Sequence, residues 1–320
     1  MRYINRFLSF GLTLLLLAAP VVLFLQRYEI MDWWRLRDYD PPARIAELAD
    51  NTAMTEYGKR LFFVHDPVLS ERDTFSASCP GFEETIILGC YIPHRAIYIF
   101  NVEDERLDGI EEVTAAHEML HAVYDRLPSR EKTRVEDLLD KALSEVKSER
   151  VLKTVASYEK RDPLIVTNEL HSILGTEVEN LPNELEEYYS QYFFDRGRVV
   201  AYAQQYEDVF VAQQQRLDEL QHKITQNTEQ LAGLRQEIEM TESRLRDESE
   251  RLDQLRSNNQ TTQYNAAVSG YNAQVNAYKD IVNSYNSQVE TVNKLIEEYN
   301  KAAVQQKQLF DAIDSRPQTL

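Results

Sequence analysis

The chain has 320 residues, 43% of them hydrophobic, with 53 Asp and Glu against 35 Lys and Arg, a formal net charge of −18. That length allows one or two domains with a sizeable core. An acidic chain with no basic stripe repels phosphate backbones, which excludes nucleic acid as a partner; the ordinary meaning of such a charge is solubility.

Residues 7–25 read FLSFGLTLLLLAAPVVLFL, without a charge. A span of about 20 apolar residues crosses a bilayer, so residues 1–37 are expected to form an N-terminal membrane anchor with one transmembrane helix. Arg2 and Arg6 precede it, and Trp33 and Trp34 follow at interfacial positions. The small-x-small site of a cleaved signal peptide is not evident. The short N-terminus and a pair of cysteines put the bulk of the chain on the extracytoplasmic side of a single-pass membrane protein.

Residues 38–200 are expected to be one globular domain, mostly α with a small β-sheet. Pro41 and Pro42 open it. Residues 43–63 have helical spacing of Ile45, Leu48, Met54 and Leu61. Residues 70–89 carry turn signals. Cys79 and Cys90 do not form a CxxC pair, so a disulfide closing a short loop suits them better than a thiolate metal site. Residues 96–102, AIYIFNV, predict a strand. A helix is expected over 107–126, with further helices to 198.

The last third, residues 201–312, changes character before a short tail at 313–320. Phe210, Leu217, Leu220, Ile224, Leu231, Leu234, Ile238, Leu245, Leu252 and Leu255 follow a 3-4 alternation, with Asn227, Thr241 and Glu248 at seam positions. After the polar break at 257–261, Tyr264, Tyr271, Tyr278, Tyr285, Val292 and Tyr299 recur every seven residues. Two heptad arms around a short turn predict an antiparallel coiled-coil hairpin. It is a solvated stalk or a surface for a protein partner or for self-association.

The chemistry lies in the helix over 107–126, which contains TAAHEMLHAVYDRL. His117 and His121 are four apart, about 40° apart around a helix, and two imidazoles on one face can hold one Zn²⁺. Glu118 is turned about 60° further, placed to take a proton from a water without being a ligand itself. Ala115, Ala116, Met119, Leu120, Ala122 and Val123 carry no charge, so the helix can lie buried behind the metal. A third ligand must come from elsewhere, and the stretch TNELHSILGTE offers Glu169, His171 and Glu177. His65, His94 and His222 show no metal spacing.

Residues 117–125, HEMLHAVYD, resemble the active-site helix of thermolysin-like gluzincins, with their HExxHAVxD pattern. Residues 168–175, NELHSILG, are similar to the second zinc helix of that family, whose NExxS pattern supplies a glutamate. The resemblance implies a zincin-like α+β domain with Glu169 as third ligand and Glu118 as general base. It covers only these two stretches; the interval between them is longer here, and Ile173 replaces an aspartate often found four residues after the ligand. Zincins also pair substrate with an edge strand, for which residues 96–102 are the candidate, and steady the oxyanion with a Tyr or His, here Tyr124, His171, Tyr188, Tyr189 or Tyr192. The expected function is that of a membrane-anchored zinc metallopeptidase acting on protein or peptide substrates. The rival is a non-catalytic envelope interaction protein whose hairpin binds a partner.

Overall fold

The computed structural model describes residues 20, 23, 26–79 and 86–317. Helices dominate. Helix α1 (Arg27–Leu36) is followed by α2 (Ala43–Asn51) and α3 (Glu56–Phe63). The apolar spacing of 43–63 thus belongs to two helices, not one. Ala53, at φ 52°, breaks the run, and the Thr55 hydroxyl accepts the Gly58 N–H to cap α3. The turn-like stretch holds strand β1 (Val68–Ser70) and helix α4 (Arg72–Ser78); then come β2 (Gly89–Ile92) and β3 (Ala96–Phe100). Helices α5 (Ile110–Arg126), α6 (Ser129–Glu145), α7 (Glu149–Arg161), α8 (Val166–Glu177) and α9 (Asn183–Tyr189) complete the packed region.

The sheet order is β1-β3-β2, with β1 parallel and β2 antiparallel to β3. This corrects the expected role of residues 96–102. β3 is the central strand, with Ala96, Ile97, Ile99 and Phe100 all buried, and the edge belongs to β2. A near-continuous apolar run is what burial on both faces requires.

The core surrounds α5. Ala115, Ala116, Met119 and Leu120 are fully buried against Leu48 of α2, Phe62 of α3, Leu139 of α6 and Leu174 of α8. Burying each large side chain stabilises the fold by about 1.5–3 kcal/mol. Gly175 lets α8 lie close on α5, because a Cβ there would collide with the Leu120 side chain.

The expected N-terminal transmembrane helix is not part of this architecture. No described helix is long and apolar enough to cross a membrane. Residues 7–25, on which that expectation rests, lie outside the described residues apart from 20 and 23. Helix α1 has ten residues and carries Arg27, Glu29, Asp32 and Arg35. Its Asp32 is buried and paired with Arg126 at the end of α5, at 2.8 Å. These charges fit a helix docked on protein, not the continuation of an apolar span.

The chain divides into two compact units, Met1–Asp208 with Ala312–Leu320, and Val209–Asp311. The second is built from the long helices α10 (Arg196–Ser257) and α11 (Thr261–Ile313). Asn259 takes a left-handed conformation, and Gln260 N–H returns to the Leu255 carbonyl at 3.0 Å, which ends α10 and turns the chain. Antiparallel pairing shows in Arg216 with Glu298 at 3.0 Å, Gln288 with Asn227 at 2.7 Å and Tyr278 with Glu242 at 2.5 Å. Leu217, Leu220 and Leu252 are buried in the seam.

Candidate metal centre

Helix α8 crosses α5 so that Glu169 faces the two histidines. Ligand atoms of His117, His121 and Glu169 all lie within 4.8 Å of one another. His117 Nε2 is 3.6 Å from Glu169 Oε2, and His121 Nε2 is 3.8 Å from Glu169 Oε1. The two imidazoles meet edge to face at 4.7 Å. On its far side, His121 Nδ1 stands 3.0 Å from Asn168 Oδ1 and 3.2 Å from Ser172 Oγ. An N–H donated there leaves the Nε2 lone pair facing Glu169 and fixes the ring. Asn168, Glu169 and Ser172 are the three fixed letters of the NExxS stretch.

The donor set fits zinc. Two imidazole nitrogens and one carboxylate are a common catalytic combination that leaves a coordination position open. Glu169 Oε2 is buried with no hydrogen-bond partner, and an oriented acceptor left this way costs free energy unless a cation uses it.

Electrostatics point the same way. Burial works against a charge on His117, but the Glu169 and Glu118 carboxylates outweigh it and raise His117 to about 9. Burial raises Glu118 to about 8, against the opposing pull of His117. Burial lowers His121 to about 4. A divalent cation among these groups displaces the His117 proton and draws Glu118 back toward ionisation.

The site opens into a cavity of about 600 Å³, a size suited to a small-molecule or peptide side-chain site. His117, Glu118, His121, Asn168 and Glu169 lie on one side, and residues 86–92 on the other. β2 passes directly over Glu118: a Cβ on Gly89 would stand 2.5 Å from Glu118 Oε1. The Tyr91 N–H hydrogen-bonds the Glu118 carboxylate, and the Tyr91 hydroxyl donates to Asp125 at 3.1 Å. Cys79 and Cys90 are bonded, with Cα atoms 6.1 Å apart, tying β2 to the end of α4.

The other sequence candidates lie elsewhere. His171 is buried on the far face of α8, with Nε2 2.9 Å from the Tyr188 hydroxyl and its ring near Tyr124 and Tyr189. It stands about 200° around the helix from Glu169, so the two cannot share a metal. Glu177 reaches the cavity but is paired with Arg150 at 2.7 Å. Tyr124, Tyr188, Tyr189 and Tyr192 are core residues that do not line the cavity. The cavity tyrosines are Tyr91, Tyr158 and Tyr206, which the sequence reading passed over. Tyr158 of α7 hydrogen-bonds Glu169. No local signal marks it, since α7 reads as an ordinary amphipathic helix.

No family model matches the chain, and no curated protein or solved structure is significantly similar to it.

Proposed function

We propose that the chain is a zinc metallopeptidase that hydrolyses peptide bonds. The observation that carries this reading is the convergence of His117, His121 and Glu169 with Glu118 beside them in an open cavity. Zinc, when bound, supplies a water of lowered pKa and a Lewis acid for a carbonyl oxygen. Glu118 takes the water's proton on its carboxylate and returns it to the leaving amine. Asn168 and Ser172 hold His121 in the tautomer that can ligate.

β2 is one of the two edge strands of the sheet and the one that borders the cavity, so an extended peptide can add to it through backbone hydrogen bonds. Leu88 and Phe100 bond across the ladder at 2.7 Å, so Gly89 and Tyr91 point their backbone groups away from β3 in the antiparallel alternation. Tyr158, at the cavity wall, donates its hydroxyl to Glu169 and so helps to hold that carboxylate toward the histidines. The disulfide supports an oxidising, extracytoplasmic compartment.

The reading of a purely structural interaction protein is disfavoured by the donor count: a structural zinc site closes with four protein ligands and needs no Glu118. The test is zinc stoichiometry together with cleavage of an unstructured protein such as casein. One zinc per chain and hydrolysis lost in Glu118→Gln are expected. Full hydrolysis in that variant overturns the assignment.

A further inference from the structure

The chain leaves the first unit after Asp208 and re-enters it at Ala312, and both crossings are fastened to walls of the cavity. On the outgoing side Tyr206 lines the cavity. Its neighbour Glu207 accepts from Arg150 at 2.6 Å, and Arg150 also holds Glu177 of α8, the helix that carries Glu169. On the returning side Ser315 is only 3% exposed and donates its hydroxyl to the Ile87 carbonyl at 2.5 Å. Asp314 stands within electrostatic reach of Arg72 on α4.

Ile87 belongs to the strap of residues 86–88 that leads into β2, and strap and strand together roof the cavity. Beneath them is a small separate core of Phe75, Cys79, Cys90 and Phe100, against which Ile87 and Leu88 pack. So small a core holds its cover weakly, and each added tie counts. A buried serine hydroxyl spent on a strap carbonyl is such a tie. The outgoing wall is locked by ion pairs; on the returning side β2 is held by β3 and the disulfide, and the tail adds a tie to the strap.

We propose that residues 312–317 are a clasp on the roof of the site. Seated, the clasp holds the strap and β2 in register above Glu118, ready for a peptide to add to the edge. Unseated, it frees the strap of residues 86–88, while the ladder to β3 and the Cys79–Cys90 disulfide still hold β2. One neutral hydrogen bond biases an equilibrium by roughly twofold to tenfold, a range that a modest pull can overcome.

This inference rests on the peptidase reading only for its effect on catalysis; the clasp itself is tested without activity. Hydrogen exchange is followed at residues 86–92 in the full chain, in Ser315→Ala and in a chain ending at Asp311. Exchange at the roof should quicken roughly twofold to tenfold in Ser315→Ala and further in the shortened chain, with exchange in α5 and zinc content unchanged. With casein as substrate, KM should rise more than kcat falls. Unchanged roof exchange in Ser315→Ala overturns the clasp, even if the shortened chain fails to fold. Roof exchange that responds in a chain with no hydrolysis at all sinks the peptidase reading and leaves the clasp standing.

Discussion

In the first unit, Glu118, His121 and His171 are all buried. In the hairpin, Asn227 and Glu248 of the seam are half-buried, and Asn227 bonds Gln288 across the pair. The two regions treat polar groups differently. A titratable group in a dry core costs several kcal/mol unless it is paired or binds a metal. The same kind of group on a solvated seam costs little and mainly sets which residues pair. Buried polar groups of the first unit that are not paired elsewhere are therefore the ones to test for chemistry, and those of the seam the ones to test for register.

The sharpest way to break this contrast is to remove one charge from each region. Glu118→Gln should cut kcat/KM for an unstructured protein by about 10²–10⁴-fold while zinc stays bound, because an amide cannot accept the proton. Glu248→Gln on the seam should leave kcat/KM unchanged. Equal effects in steady-state kinetics would mean that the buried carboxylate has no special role.

What could be read beforehand follows the same division. The HExxH helix was legible because its residues are local: four-residue spacing brings His117 and His121 together in any helix. Heptads are likewise one-dimensional, and they announced both arms and the turn. The edge strand was misassigned because which strand is outermost depends on pairing across 20 or more residues, and β2 is too short and mixed to stand out. Tyr158 was missed because only the packing of α7 beside α8 brings it to Glu169. Glu169 was within reach through its NExxS neighbourhood, though the letters alone do not say that Asn168 and Ser172 both turn toward His121. The membrane helix expected from 7–25 rested on the length of one uncharged run and on the residues that flank it, and no described helix takes that role.

A second contrast is between buried and exposed histidines. His65 is fully buried, its Nδ1 donates to the Leu61 carbonyl at 2.8 Å, and its ring meets Tyr91 edge-on. Burial lowers it to about 4, outweighing that hydrogen bond. In the unfolded chain it returns to about 6.5, so the unfolded state binds the proton first as pH falls. Its contribution is therefore complete above pH 6.5 and is lost on acidification toward pH 4, by roughly 3 kcal/mol in all. Denaturant midpoints of His65→Gln should slope less between pH 6.5 and 4 than those of the parent. The same change at exposed His222 in the hairpin should leave the slope alone. Parallel curves for parent and His65→Gln would remove this account.

Third comes the support of the ligands. Asn168→Ala leaves all three donors in place but lets the His121 ring turn. Zinc affinity should fall about 10–100-fold, the usual effect of losing such a partner. His171→Ala, two residues from Glu169 but on the far face of α8, should keep zinc while lowering stability. Competition titration with a chelator separates the two. Undiminished affinity in Asn168→Ala would show that Ser172 alone fixes the ring.

The smallest expected effect probes the hairpin's own use of polarity. Gln288 Nε2 donates to Asn227 Oδ1 at 2.7 Å and to Gln230 Oε1 at 2.9 Å, between two arms whose seams are mostly apolar. A hydrogen bond between half-exposed amides is worth about 1 kcal/mol or less. Two leucines at the same positions gain burial of similar or greater size. If the pair exists for register, Asn227→Leu/Gln288→Leu should make hairpin amides exchange more slowly by about 1 kcal/mol, since apolar seams are more stable and less specific. It should also let the arms slip, which appears as a loss of the Arg216–Glu298 contact in cross-linking between those positions. Asn227→Leu alone gains less, because Gln288 then keeps only Gln230. Faster exchange in the double variant would mean that the amide pair stabilises the hairpin outright, and the division between chemistry in one unit and register in the other would no longer hold.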